Sequence, residues 1–230
     1  MPSPTTSQDW VTVKTTLPSV PYPPIESRLP IKTARLLIRP YRESDAEELY
    51  SVLRSQPEVM IFTARGKVDE SVEVTRKNIQ SRLPPNDQAN YDWIICSAET
   101  EEIIGVGGSH QRACDLGWPA LGYMFRKDAW GKGYGTEFAN ALLDAWWKLP
   151  REEFEVKVDR DTIGEGQEGD VVPESIIGIT TEENKASQHV MGKAGMKLVK
   201  IWRTKDSHEG GDMVDLYVFA GTRRPGTATD

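Results

Sequence analysis

Cysteine is scarce: Cys96, inside an apolar run, and Cys114, in a loop-like stretch, are the only two in 230 residues. That number and spacing suggest neither a disulfide framework nor a cysteine-built zinc site, and a reducing, cytoplasmic setting is expected. Histidine is almost as rare. His110, His189 and His208 lie far apart and form no HxxxH pair, so no metal is expected. No apolar run approaches the roughly 20 residues that span a bilayer. The first thirty positions also lack the apolar stretch of a signal peptide and the arginine bias of a transit peptide, and no membrane partner is expected. Basic residues are outnumbered, 28 Lys and Arg against 35 Asp and Glu, for a formal net charge of -7 without any Lys/Arg block. No nucleic-acid partner is expected, and a cationic partner such as an amine fits better.

What is present suits one domain with one sizeable core, as a monomer or homodimer. Positions 1–30 are proline-rich and are predicted to form an irregular arm, followed by a single domain over 31–222 and a tail over 223–230. "RLLIRPY" (35–41) predicts a first strand, and Ser44 and Glu47 stand at capping-box spacing at the start of a helix. A second helix is predicted from Asp69, with Val72, Arg76, Ile79 and Leu83 at helical spacing and Pro84-Pro85 as its stop. Positions 91–98 and 103–109 form an antiparallel pair, and 120–125 a short fourth strand. Phe138, Leu142 and Trp146 make a helical stripe that ends before Pro150. Composition then turns polar and acidic, and 159–170 is predicted to be a mobile surface loop. A strand over 175–180, a helix over 184–196 stopped by Gly195, and two closing strands complete the chain.

The stretch "AWGKGYGTEF" (129–138) places Gly131, Gly133 and Gly135 directly before a helix. A helix start leaves backbone N–H groups without partners and carries partial positive charge, so it binds anions wherever the preceding chain allows close approach. Alternating glycines allow it, by removing Cβ atoms and tolerating positive φ. A P-loop is excluded, because Lys132 is followed by Gly133 rather than Ser or Thr. A dinucleotide fingerprint and a kinase loop both fail at Thr136, where a glycine is needed. Taken alone, a glycine-rich turn without any ligand is an equal reading.

"GYMFRKDAWGKGYGTE" resembles the acetyl-CoA-binding segment of the GNAT acetyltransferase superfamily, written Q/R-x-x-G-x-G/A. Gly133 and Gly135 take the small positions, and Trp130 stands where Gln or Arg is usual. "TARLLIRPYRESDAEEL" resembles the opening strand and helix of the branch that acetylates ribosomal-protein N-termini. "ENKASQHVMGKAGM" resembles that branch's N-x-x-S-x-x-V-x-x-K-x-G-F signature, with Asn184, Ser187, Val190, Lys193 and Gly195 in place and Met196 for Phe. The resemblance covers roughly 31–220. It implies an α/β GNAT fold: a mixed, mostly antiparallel twisted sheet of six or seven strands, splayed between the fourth and fifth, with about four flanking helices.

The resemblance also implies acetyl-CoA as co-substrate. Its pantetheine would lie in the splay beside Met124 and Phe125, and its diphosphate on the amides of Gly131, Lys132, Gly133, Tyr134, Gly135 and Thr136, following Trp130. The Lys132 side chain adds charge or is simply solvated. Asn184 reaches the coenzyme arm or caps its own helix. An amine attacks the thioester, which requires a proton acceptor, oxyanion donors and a group to meet the leaving thiolate. The tyrosine that many members place seven residues after the Asn is Met191 here, which cannot donate a proton. Ser187 is the matching donor to sulfur, or it satisfies only its helix start. His110 and Tyr123 are the base candidates by position, beside a water chain to Glu101 or Glu182. The acceptor side would be built from the loop after the first helix, the second helix and the "DSHEGGDM" turn. The alternative function is a non-catalytic module of this fold that binds CoA as a sensor or holds a protein partner.

Overall fold

The computed structural model describes residues 1–208 and 211–223; positions 224–230 of the predicted tail, and part of the "DSHEGGDM" turn, lie outside the described residues. In chain order the strands are β1 Pro4–Thr5, β2 Trp10–Pro18, β3 Ile31–Lys32, β4 Leu36–Arg39, β5 Tyr91–Ser97, β6 Ile103–Ser109, β7 Gly122–Phe125, β8 Arg151–Asp159, β9 Ser175–Thr181, β10 Lys197–Lys205 and β11 Met213–Thr222. The helices are α1 Ala46–Leu49, running on into a wider turn at Tyr50–Arg54, α2 Pro57–Met60, α3 Val72–Gln80, α4 Tyr134–Trp146 and α5 Lys185–Lys193.

Strands β3-β4-β5-β6-β7 form one antiparallel sheet and β1-β10-β11-β9 a second, antiparallel but for the short β1, which pairs parallel with β10; β2 and β8 are a separate pair. The strand β7 runs parallel to β9, but the two sheets join only at their near end, through the Ala120–Ile177 bridge. There Leu121 N–H donates to Ile177 O and Ile177 N–H to Pro119 O, each at 2.8 Å. Beyond it β7 and β9 share no pairing among the described residues, so the sheet opens where the fourth and fifth strands of the domain diverge.

The alternation along β5 explains how both faces of that sheet are covered. Trp93 and Ile95 turn toward α4, packing with Phe138, Leu142 and Trp146, while Ile94 and Cys96 turn toward α1 and α3, packing with Leu49, Leu53 and Ile79. Each fully buried stripe residue of α4 is worth about 1.5–3 kcal/mol. Burial therefore holds the helix more firmly than propensity does, which differs by only about 0.7 kcal/mol per residue among ordinary side chains. At the start of the first helix the cap is not the predicted Ser44: the Asp45 carboxylate accepts from Arg42 N–H at 2.8 Å, while Glu47 pairs with Arg76.

Two expectations are corrected outside this core. The arm is not irregular throughout, because Trp10–Pro18 forms β2 and pairs antiparallel with β8 from Trp10↔Asp159 to Pro18↔Arg151. Its β-branched run "WVTVKTTL" suits a strand, and its one proline is the terminal Pro18. Val13 and Leu17 are buried against Trp118, Val158 and Val172. The segment 159–170, expected to be a mobile surface loop, is tied to the same strand. Gly169 N–H donates to Thr12 O at 2.7 Å, Lys14 N–H to Asp170 O at 2.8 Å, and Thr12 N–H to the Glu168 carboxylate at 2.7 Å. At its root Asp159 is buried against Lys200, whose Nζ lies 2.7 Å away and also donates to Ser7 O at 3.0 Å.

Candidate functional site

The opening between β7 and β9 is lined by the ends of α4 and α5. At the first of these, Gly133 caps α4 with φ 83° and Gly131 has φ 73°, conformations that L side chains rarely adopt. The first helical bond runs from Glu137 N–H to Gly133 O at 3.2 Å, and no side chain caps the helix. The amides of Gly131 to Thr136 find no acceptor among the described residues. A Cβ built on Gly131 meets nothing within 4 Å, while one on Gly135 would press Val190 of α5 at 3.0 Å. The first glycines thus shape an open cradle and the last brings the two helices together. Such a run of free amides at a thirteen-residue helix suits a diphosphate.

The side chains around the cradle lock its shape. Trp130 Nε1 donates to Phe125 O at 2.7 Å, closing the turn between β7 and the glycines. Arg35, which no motif singled out, spans the loop. It donates to Lys132 O at 2.9 Å and to Glu137 at 2.7 Å, and its guanidinium lies 4.8 Å from the Tyr134 ring centre. Burial would raise the Glu137 carboxyl, but hydrogen bonds from Thr33 and Arg35 and the Arg35 charge hold it below its ordinary value. The Lys132 ammonium makes no ion pair or hydrogen bond with the described residues.

Along β7 the side chains alternate. Tyr123 and Phe125 face α4, with ring centres 6.2 Å apart and each 6.2 Å from Phe138, whereas Met124 faces the α1 and α3 side. Across the opening, Asn184 Oδ1 accepts from Ser187 N–H at 3.1 Å, so this side chain does cap α5, while its amide hydrogens have no partner among the described residues. Ser187 Oγ lies 2.9 Å from Tyr123 Oη, linking the two candidates across the opening. Burial pushes the Tyr123 phenol up to about 12, against a lowering by the Ser187 hydrogen bond. His110 follows β6 and is exposed, its ring beside Gly122 rather than bonded to Tyr123 or Ser187. Met191 is buried, its sulfur packed where a Cβ on Gly178 would stand.

Residues 58–66 reach from one sheet to the other. Glu58 pairs with Lys127 at 3.2 Å, and Phe62 stands edge-on to Trp130, with ring centres 6.3 Å apart. At the other end Ser207 Oγ donates to Ala64 O, and His208 Nε2 lies by Thr63 O, both at 2.9 Å.

The family model described as "Acetyltransferase (GNAT) domain" matches residues 35–197, most of the chain, including the glycine cradle and the strands and helices that border the opening. The chain belongs to the GNAT acetyltransferase family. Its similarity to an uncharacterized N-acetyltransferase p20 of Bacillus licheniformis is 32% identity over 130 residues, 55% of this chain and 71% of that protein. The fold is similar to that of a GNAT-family acetyltransferase from Bacillus anthracis, with TM-score 0.64 and 22% identity over 84% of this chain and 98% of that one. It is likewise similar to the ribosomal-protein-S5-alanine acetyltransferase from Vibrio fischeri, with TM-score 0.64 and 12% identity over 87% of this chain and 100% of that one. As a GNAT acetyltransferase the protein takes its acetyl group from acetyl-CoA. No helix among the described residues is long and apolar enough to cross a membrane.

Proposed function

We propose that this acetyltransferase moves the acetyl group to a primary amine, either a peptide N-terminus or a small amine, by direct attack on the thioester. The observation that carries this reading is the run of six unpartnered amides, Gly131 to Thr136, at the mouth of a gap between parallel strands. In this reading those amides hold the diphosphate, with Lys132 adding charge and Trp130 fixing the loop. Phe125 and Met124 border the pantetheine, which extends the exposed edge of β7. The free amide hydrogens of Asn184 face the same arm, and Ser187 meets the sulfur.

The acceptor enters past residues 58–66, the loop after the first helix, where Ser207 and His208 meet Ala64 and Thr63. The net charge of -7 favours a cationic amine over an anionic one. Similarity to the Vibrio fischeri enzyme, named for a protein alanine, supports a peptide N-terminus among the candidates. Of the two base candidates, the exposed His110 is the side chain proposed to receive the amine proton, by way of water, because burial keeps the Tyr123 phenol protonated.

The test is a thermal melt with acetyl-CoA, CoA and ATP, followed by thiol release with an alanine-terminated peptide, spermidine and a simple alkylamine. Ligand at a hundred times its Kd adds about 2.7 kcal/mol. Both CoA species are expected to stabilise the protein and ATP is not. The Gly133→Glu variant, folded but carrying a negative side chain in the cradle, is expected to lose the shift. Unchanged acetyl-CoA affinity in that variant removes the loop assignment, and absence of thiol release with all three amines removes the acceptor class.

A further inference from the structure

We propose that Tyr123 is a positioning residue, one that turns the Ser187 hydroxyl hydrogen toward the sulfur of the thioester. The inference rests on the acetyl-transfer reading above. Tyr123 Oη lies 2.9 Å from Ser187 Oγ and 3.4 Å from the Ser187 carbonyl oxygen. Of two hydroxyls sharing one hydrogen bond, the phenol is the stronger acid and therefore the better donor. Ser187 Oγ then accepts, and its own hydrogen is left pointing away from Tyr123. That hydroxyl has no other partner among the described residues.

Both ends of the pair are fixed. The Tyr123 ring is held between Phe125 and Phe138, and burial keeps the phenol protonated, hence a donor, across the ordinary working range. The Ser187 backbone is held by its N–H bond to Asn184. Met191, which stands where a direct tyrosine donor would be expected, is packed into the core and leaves the role open.

In the transfer the amine nitrogen bonds to the thioester carbonyl carbon and gives up a proton to water. The carbon–sulfur bond breaks, and its electron pair moves to sulfur. A hydrogen bond from Ser187 steadies that sulfur, which makes Ser187 the catalytic residue of the pair; Tyr123 touches neither reactant.

The experiment compares wild type, Tyr123→Phe, Ser187→Ala and the double variant. Tyr123→Phe keeps the ring and its packing, and an unchanged melting temperature checks that it folds. Binding of CoA and of desulfo-CoA at pH 9, where an alkyl thiol is partly ionised, reads the sulfur contact without any acceptor. Wild type is expected to prefer CoA, and the preference should fall about fivefold in either single variant and no further in the double. With an accepted amine, kcat should fall about tenfold in each single variant, with KM for acetyl-CoA within twofold. An equal CoA preference in wild type and Tyr123→Phe overturns the proposal, as does a multiplicative loss in the double variant. Lack of turnover with every amine would overturn the acceptor reading alone, since the desulfo-CoA comparison still decides this one.

Discussion

The Trp130 indole N–H donates to the Phe125 carbonyl oxygen at 2.7 Å, tying the last residue of β7 to the residue just before the glycine cradle. The bond sets where the cradle sits relative to the strand edge, and so the distance between diphosphate and thioester. Trp130→Phe keeps the ring beside Phe62 but removes the donor. Acetyl-CoA affinity is expected to fall about tenfold, with global stability changed by no more than about 1 kcal/mol. Titration calorimetry beside a denaturant melt would show it; equal affinity in the variant means the bond does not set the loop.

Arg35 is half exposed, yet it contacts the Lys132 carbonyl, Glu137 and the Tyr134 ring together. Exposed ion pairs contribute about 0–1 kcal/mol to folding, so Arg35→Ala should melt nearly as wild type does. Its effect should instead appear in the coenzyme: KM for acetyl-CoA rises several-fold while kcat holds. A variant that loses stability and keeps its KM would assign Arg35 to scaffolding.

Glu174 is buried beside Arg151, and Trp146 Nε1 donates to it at 2.9 Å. Burial outweighs the attraction of Arg151 and the Trp146 bond and lifts its carboxyl from 4.5 to about 7. The folded state thus holds a proton that the unfolded chain releases between those values. The stabilisation is complete below pH 4.5 and is lost as pH rises through 7, by about 3 kcal/mol. Glu174→Gln should lack this loss, so that the two stability curves, measured by urea unfolding from pH 5 to pH 8, converge or diverge by close to that amount. Parallel curves would mean that Glu174 does not titrate in this interval.

Lys200 is buried with Asp159, and its ammonium also reaches the Ser7 carbonyl of the arm. Removing one partner leaves the other charge buried without compensation, so Lys200→Ala should cost about 3–5 kcal/mol. Acetyl-CoA affinity at a temperature where the variant stays folded should be unaffected, because the pair lies in a cluster separate from the cradle. Calorimetry and a guanidinium melt on the same sample distinguish the two.

The domain was legible where the signal is local. The stripe Phe138, Leu142 and Trp146 and the glycines at 131 and 133 encode a helix and its open start within sixteen residues. The opening was inferred only through the resemblance, since the Ala120–Ile177 bridge joins segments 57 positions apart. The strand β8 was hidden for a physical reason: Glu152, Glu153 and Glu155 are exposed on it, so its composition imitates a loop. Its partner β2 was hidden by flanking prolines. Tyr123 and Ser187 were each singled out, but nothing in the order of residues says that their hydroxyls meet. Arg35 carried no signal, because an arginine before a strand is ordinary until the loop folds over it.

The union of β2 with β8 bears on how this enzyme can be handled. A clone begun near residue 30, to obtain the bare family domain, would withdraw one ribbon from a ladder and strand the other. Trp118, Val158 and Val172 would be laid open along an unsatisfied backbone edge, and such a ledge invites neighbouring molecules to dock in its place. Trimming the disorderly-looking front of this protein is thus a recipe for precipitate rather than for better crystals.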